Sequence, residues 1–254
     1  MQLVEGNCRV LDSQVFYAGA TDPGRVRRCN EDNLLILPET GVFAVADGLG
    51  GLDAGDIASS TALAHLKDLC SAPIFLDDGD AKSHLEAIIA AVNSHTYQYR
   101  MLLGKNMATT LALVQFGSNG TTLAAHVGDS RIYRWHNDEL IRITSDHSLV
   151  NELYEQGALT ASQAERSPQR HVITRAVGAE PTVLPSITSF TLAHGDKLLL
   201  CTDGLTSMVS DTQIAQCLRS EQTNIGRLVE QLVHLANEAG GHDNITSIVL
   251  SIQS

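Results

Sequence analysis

The sequence predicts an α+β fold in which two antiparallel β-sheets pack face to face and helices cover their outer surfaces. Two patterns indicate this arrangement. About ten short segments are apolar, or alternate between apolar and polar residues, as β-strands do. Helical spacing occurs in longer segments that form two pairs, one inserted between groups of strands and one close to the C-terminal end.

The strands are predicted from short apolar or alternating segments bounded by turn residues. They lie near residues 14–20, 33–37, 42–46, 108–116, 121–127, 131–135, 140–144, 183–190, 197–202 and 245–252. Two hairpin turns are also predicted, because short runs of Ser, Asn, Asp and Gly favour tight turns. They are Ser-Asn-Gly at 118–120 and His-Asn-Asp-Glu at 136–139.

Four helices are predicted from apolar residues that recur every three or four positions. The clearest covers 83–103, and its apolar face consists of Leu85, Ile88, Ile89, Val92, Thr96 and Tyr99. A second helix is expected at 55–70, a third at 211–219 with Asp211 as its cap, and a fourth at 224–239. The fourth has Asn224 as a cap and ends at Gly240-Gly241.

The whole chain, residues 1–254, is expected to form a single domain. Segment 149–171 differs from the rest because it is polar and helix-prone, with Pro168 near its end. We therefore expect it to form a small flap beside the main body.

Composition and charge exclude several classes of function. The five cysteines are scattered without CxxC spacing, which argues against a disulfide framework and against a thiolate zinc site. The N-terminal residues lack a signal-peptide pattern, so we expect a cytoplasmic protein. A net charge of −12 disfavours binding to nucleic acid or to an anionic membrane.

Four aspartates lie at the ends of apolar strands, each close to glycine. Asp47, Asp129 and Asp203 follow predicted strands directly, and Asp243 precedes the last one. Converging carboxylates repel each other unless they are protonated or bound to cations, and an all-oxygen group suits Mg²⁺ or Mn²⁺. Each Asp-Gly pair taken alone could be no more than a turn, but the four together predict a metal site.

Motifs of other enzyme classes do not occur in the sequence. There is no GxxxxGK[ST] phosphate-binding loop, no HExxH zinc motif and no GxSxG nucleophile motif. The histidines show no spacing that is typical of a zinc site.

Eight short motifs occur in an order that resembles the metal-dependent PPM (protein phosphatase 2C) family of protein serine/threonine phosphatases, in its compact bacterial form. The resemblance extends from about residue 18 to 250 and rests on RRCNED at 27–32, VADGLGG at 45–51, ATT at 108–110, VGDSR at 127–131, TSDHS at 144–148, TRAVG at 174–178, CTDGL at 201–205 and HDNIT at 242–246.

The resemblance implies two stacked antiparallel sheets flanked by helix pairs, with a centre for two Mg²⁺ or Mn²⁺ ions in a cleft at one end. It implies that Asp47 bridges both ions and that the Gly48 carbonyl binds one of them. Asp203 and Asp243 would bind the other ion.

Four further positions have roles that the resemblance implies. Glu31 or Asp32 would act through metal-bound water, and Arg27 would grip the substrate phosphate. Asp129, together with Asp203, would hold a third and weaker ion.

The chemistry implied is direct attack on phosphoserine or phosphothreonine by a metal-bridging hydroxide, because no motif presents a side chain to be phosphorylated. The sequence departs from the family where Leu49 replaces the histidine that many eukaryotic members use as an acid. A metal-bound water, His147 or His171 could then protonate the leaving group. Leu52 and Asp56 also depart from common family residues, away from the proposed ligands.

The expected partners are phosphorylated proteins, together with a cognate serine/threonine kinase whose action the enzyme would reverse. Two alternatives stay open at this point. One is an inactive phosphoprotein-binding regulator with the same fold, and the other is a small-molecule metal-dependent phosphatase.

Overall fold

Twelve strands form two antiparallel sheets in the computed structural model, which describes residues 1–10, 13–50, 54–71, 78–117, 120–219 and 224–253. The first sheet has six strands. In order across it they are β1 (Gln2–Val10), β2 (Ser13–Asp22), β12 (Ile245–Gln253), β11 (Lys197–Cys201), β8 (Arg131–His136) and β9 (Glu139–Arg142).

The second sheet also has six strands, five of which form a continuous path. In order they are β10 (Ser186–Thr191), β7 (Thr121–Val127), β6 (Leu111–Phe116), β4 (Val42–Leu49) and β3 (Asp32–Leu37). The short strand β5 (Ala108–Thr109) pairs with the end of β4.

Helices cover the outer face of each sheet. The second sheet is covered by α1 (Ala54–Leu69) and α2 (Asp78–Leu103). The first sheet is covered by α5 (Asp203–Thr206), α6 (Asp211–Arg219) and α7 (Ile225–Glu238). Within the segment predicted as a flap lie α3 (Leu149–Glu155) and α4 (Ala161–Arg166). That this segment acts as a separate flap stays a prediction.

The layered arrangement follows from strands that are buried on both faces. In β4, Val42, Ala44 and Ala46 pack towards α1 and α2, whereas Phe43 and Val45 pack between the two sheets. Successive side chains of a strand point to opposite faces, so a strand covered on both faces is apolar throughout. The predicted α+β fold, with two stacked antiparallel sheets and flanking helices, is confirmed.

Sheet pairing brings the predicted aspartates to one edge of the sandwich. Since β4 and β3 are antiparallel, Asp47 at the end of β4 lies opposite Asp32 at the start of β3. The end of β11 and the start of β12 are likewise adjacent, with Cys201 opposite Ser247. This places Asp203 and Asp243 side by side at the same edge.

Several predicted boundaries differ from those of the structure. Strand β1 was not predicted, because its middle residues Glu5–Asn7 are polar or glycine and one face of this edge strand is exposed. The predicted strand at 108–116 is interrupted at Thr110, which separates β5 from β6. Tyr99 is exposed and does not share the buried face of α2.

The caps and turns give a mixed result. Asp211 is not the cap of α6, since the helix begins at this residue and the Ser210 hydroxyl accepts from the Gln213 amide instead. Asn224 caps α7 as predicted. The turn at 136–139 is confirmed, with Asn137 and Asp138 at φ 48° and 62°. In the predicted turn at 118–120, only Gly120 is described, with a φ of 86°; residues 118 and 119, like Leu52, lie outside the described ranges.

Candidate metal centre

Asp32 is the most deeply buried carboxylate of the site. Asp32 has 3% of its surface exposed, and the Thr202 hydroxyl donates to its Oδ2 at 2.8 Å. Burial raises the pKa of Asp32 to about 7 against the effect of this hydrogen bond, and the charges of Asp203 and Asp243 act in the same direction as burial. A negative charge at Asp32 is therefore costly unless a cation lies nearby.

The backbone of Asp47 is held by Thr109, at the end of β5, and by Thr110, which directly follows it. The Asp47 amide donates to the Thr110 hydroxyl at 2.9 Å, and the Thr110 amide donates to the Asp47 carbonyl at 2.9 Å. The Thr109 hydroxyl also donates to that carbonyl, at 2.8 Å. Burial, followed by the charges of Asp32 and Asp203, raises the pKa of the Asp47 carboxyl well above its ordinary value.

Asp203 is the first residue of the short helix α5, which begins two residues after the end of β11. The carboxyl groups of Asp203 and Asp47 lie close enough to influence each other's pKa. Burial raises the pKa of Asp203, and the neighbouring charge of Asp243 raises it further. Two carboxyl groups in such close contact share a proton or a cation.

Asp243 faces Arg27 at the mouth of the site. Arg27 Nη2 donates to Asp243 Oδ2 at 2.8 Å, and the Asn244 amide donates to Asp243 Oδ1 at 2.9 Å. The side chain of Arg27 is half exposed. The structure therefore directs Arg27 towards the carboxylates, whereas the neighbouring Arg25 pairs with Glu238.

The backbone of Gly48, the residue after Asp47, is hydrogen-bonded to the backbone of Glu31. The Gly48 amide donates to the Glu31 carbonyl at 3.2 Å, and the Ser59 hydroxyl donates to the same carbonyl at 2.6 Å. A Cβ atom added at Gly55 would lie 2.7 Å from the Gly48 oxygen and 2.8 Å from the Glu31 carboxyl carbon. Both groups therefore lie against the first turn of α1, and the close approach requires glycine at position 55.

Asp129 lies just after β7 and is almost fully buried. Burial and the charges of Asp203 and Asp146 raise the pKa of Asp129 to about 7. Among the described residues, none provides a hydrogen-bond partner for its Oδ1 atom. Arg131, two residues further along the chain, pairs with Asp146 at 2.8 Å.

The oxygen donors of this site fit a hard divalent cation in their chemistry. Buried carboxylates with raised pKa values and an unpartnered Asp129 oxygen gain from positive charge. In the described ranges, however, no three His, Cys, Asp or Glu side chains converge as one coordination shell. Asp243 is bound by Arg27, and Asp203 lies beside Asp47.

The two histidines considered as proton donors have different environments. His147 is buried, its Nδ1 accepts from the Gly128 amide, and its Nε2 lies 2.9 Å from the Ser186 hydroxyl. Burial, and then the nearby His126, lowers the pKa of His147 to about 3. His171 is more than half exposed, with its Nδ1 atom 4.0 Å from Asp203 Oδ2. His171 is thus the one of the two that faces the site.

Sequence reasoning missed two residues that support the site. Thr110 was quoted within a motif without a role, yet it binds the backbone of Asp47. Asn244 was quoted within a motif without a role, yet its side chain binds the loop that carries Arg27. In the sequence, Thr110 lies beside a strand end and Asn244 follows Asp243. Neither position by itself indicates a contact.

Comparison with known proteins agrees with this description. A family model described as protein phosphatase 2C matches residues 25–245. The serine/threonine phosphatase stp of Listeria monocytogenes serotype 4b is 35% identical over 237 residues, which cover 91% of this chain and 93% of that protein. The serine/threonine protein phosphatase PstP of Mycobacterium tuberculosis is 37% identical over 243 residues, and the match covers 93% of this chain but 45% of PstP.

Solved structures are similar over nearly the whole chain. The catalytic domain of PstP in complex with two manganese ions has a TM-score of 0.82 at 33% identity, covering 94% of this chain and 99% of that one. The phosphatase Stp1 from Staphylococcus aureus has a TM-score of 0.86 at 32% identity, covering 97% of both chains.

The fold is shared with solved serine/threonine phosphatases, one of which binds two manganese ions, and one edge carries carboxylates with raised pKa values. The chain belongs to the protein phosphatase 2C family, and the predicted resemblance is confirmed. Its relatives are named as serine/threonine phosphatases, which favours the predicted enzyme over an inactive regulator or a small-molecule phosphatase. In the described part of the chain, no helix is long and apolar enough to cross a membrane.

Proposed function

We propose that this chain hydrolyses phosphoserine and phosphothreonine on other proteins, using two Mg²⁺ or Mn²⁺ ions. The observation that carries the proposal is the convergence of Asp32, Asp47, Asp203 and Asp243 at one edge of the sandwich, with Arg27 at its mouth. The manganese-bound relative and the family match support it.

The ions would be held by residues that approach from three strand ends. Asp47 would bridge them, with the Gly48 carbonyl on one ion and Asp203 with Asp243 on the other. Glu31 and Asp32 would act through water, and Asp129 would hold a weaker third ion together with Asp203. When bound, such ions supply an activated water and positive charge for the phosphate oxygens.

Arg27 would provide the main contact with the substrate phosphate. A guanidinium group donates two parallel hydrogen bonds to an oxyanion, and Arg27 already donates to a carboxylate at the cleft mouth. Substrate phosphate would take over one or both of these donors. Asp243 would hold an ion when it is not bound by Arg27.

The leaving-group oxygen needs a proton from a group at the cleft surface. His147 does not suit this role, because both of its ring nitrogens are engaged inside the protein and its pKa is lowered. His171 faces Asp203 from the flap segment and has an exposed ring, so it is the better side-chain candidate. Water bound in the site is the alternative donor.

The partners follow from the activity. We propose phosphorylated proteins as substrates and a serine/threonine kinase as the opposing enzyme. A cytoplasmic setting agrees with five cysteines that form no disulfide. Phosphothreonine-peptide turnover tests the function. We expect none in EDTA, recovery with Mn²⁺ or Mg²⁺, and little effect of thiol reagents. Full turnover by metal-stripped protein would contradict the proposal.

A further inference from the structure

The side-chain amide of Asn244 forms its hydrogen bonds with backbone groups of one loop. Asn244 is 5% exposed, and its Nδ2 atom donates to the carbonyls of Pro23 at 3.0 Å and Cys29 at 2.9 Å. Its Oδ1 atom accepts from the Glu31 amide at 2.8 Å. Asn244 therefore binds both ends of the loop 23–31, which carries Arg27.

The Glu31 peptide extends this connection to the strand that carries Asp47. Its N–H donates to Asn244, and its carbonyl accepts from the Gly48 amide at 3.2 Å. The backbone of Asn244 in turn donates to the carboxylate of Asp243 at 2.9 Å. One amide side chain thus joins three segments: the Arg27 loop, the end of β4 and the start of β12.

The loop 23–31 and the segment before β12 are closely packed around Asn244. Gly24 has a φ of +75°, and a Cβ atom there would lie 2.2 Å from the Asp243 carbonyl oxygen. A Cβ atom at Gly204 would lie 1.9 Å from the Asn244 carbonyl oxygen. Asn244 is therefore held between backbones on both sides, so its side chain can fix the distance between them.

We propose that Asn244 is a positioning residue, which fixes the Arg27 guanidinium at the distance from the metal-binding carboxylates that phosphate binding needs. The role rests on the proposed function, since it concerns the same site. Alanine at position 244 lacks all three hydrogen bonds. Aspartate keeps an acceptor for the Glu31 amide but lacks the two donors and adds a charge beside Asp243.

Asn93 offers a matched control because it makes the same pattern of bonds elsewhere. This buried residue of α2 accepts from the Gly178 amide at 2.8 Å and donates to the carbonyls of Glu180 and Pro181 at 3.1 and 3.2 Å. The loop that it holds carries none of the residues proposed for the site. Asn93→Ala and Asn244→Ala should therefore lower the melting temperature similarly.

The test measures the binding of inorganic phosphate to Mn²⁺-loaded protein by calorimetry. We expect Asn244→Ala to weaken phosphate binding by about tenfold and Asn93→Ala to leave it unchanged, because loss of about 1–1.5 kcal/mol of hydrogen bonding corresponds to about tenfold in affinity. In an Arg27→Ala background, Asn244→Ala should add little, since its effect acts through Arg27. Equal phosphate affinity in the two asparagine variants, or full additivity with Arg27→Ala, would overturn the proposal.

Hydrogen exchange of the wild-type protein provides a second test that does not depend on the variants folding. The Glu31 and Gly48 amides should exchange slowly and at similar rates, because the Glu31 amide donates to Asn244 and the Gly48 amide donates to the Glu31 carbonyl. Fast exchange at Glu31 would contradict the role of Asn244. Slow exchange in a protein that fails to hydrolyse phosphothreonine peptides would leave this inference standing and reject the proposed function instead.

Discussion

The hydroxyl of Thr110 accepts a hydrogen bond from the Asp47 amide at 2.9 Å and also lies 2.6 Å from the Ser130 hydroxyl. This single oxygen connects the segment of the proposed bridging ligand with the turn that carries Asp129. The contact arises where β5 and β6 are separated, which leaves Thr110 between them facing the end of β4. The interruption of the predicted strand therefore brings the Thr110 hydroxyl between the segments that carry Asp47 and Asp129.

Thr110→Val should weaken Mn²⁺ binding by about tenfold, because a buried Asp47 amide then loses its acceptor at a cost of about 1–3 kcal/mol. Thr110→Ser keeps the hydroxyl and should retain affinity close to wild type. Calorimetric titration with Mn²⁺ measures the effect. Thr96→Val is the matched control, since Thr96 is buried and donates to Val92 within its own helix. Equal Mn²⁺ affinity in Thr110→Val and Thr96→Val would remove Thr110 from the support of the site.

Arg27→Ala and Arg27→Lys should both reduce kcat/KM by roughly ten- to hundredfold, since a charge-assisted hydrogen bond contributes about 1.5–3 kcal/mol and lysine lacks the paired donors. The loss should appear mainly as a higher KM if the contact is equally strong throughout the reaction. Kinetics with a phosphothreonine peptide measure it. Arg28→Ala, at the exposed arginine next in the chain, should retain wild-type kinetics. Unchanged kcat/KM in both Arg27 variants would exclude its contact with phosphate.

Asp129→Ala should lower turnover while two ions stay bound, because its proposed ion has few protein ligands and is weakly held. Asp47→Asn and Asp243→Asn should abolish turnover at any practical metal concentration, since each removes a ligand of the tightly held pair. Metal stoichiometry and peptide turnover, measured together, separate these outcomes. Full metal stoichiometry in Asp129→Ala, with only a lower melting temperature, would assign Asp129 to the turn.

The pH dependence of stability should identify the buried carboxylates in metal-free protein. Burial raises the pKa values of Asp32 and Asp129 from 3.8 to about 7, so between these values the folded protein binds more protons than the unfolded chain. The free energy of unfolding should therefore fall as pH rises from about 4 to about 7 and level off above. Asp129→Asn should make this fall shallower in EDTA, and Mn²⁺ should restore stability at pH 7. Urea unfolding across the pH range measures both effects; an identical pH profile in wild type and Asp129→Asn would contradict the raised pKa.

Much of the fold could be predicted because strands buried on both faces leave uninterrupted apolar runs in the sequence. The segment 121–127 was predicted with the bounds of β7, and 211–219 with those of α6. Strand β1 left no such run, because a half-exposed edge strand needs few apolar residues. The cap of α6 was misplaced because Ser210 and Asp211 both suit a cap, and only the backbone conformation decides between them.

The candidate site was predicted as a set of residues, and its internal contacts were not. Asp47 and Asp203 could be selected because a carboxylate at the end of a buried strand needs a partner. The closeness of their carboxyl groups depends on how the two sheets are packed against each other. The burial of His147, which lowers its pKa, likewise depends on packing around the turn after β7.

The sequence by itself determined the alternation that builds two buried sheets, the carboxylates at their ends and the family to which the chain belongs. Only the tertiary structure decided that Arg27 faces Asp243, 216 residues away, and that Asn244 binds the loop that carries Arg27. The physical reason is that strand periodicity is a local property of the chain. Contacts between distant segments depend instead on sheet register and close packing, which no short stretch of sequence encodes.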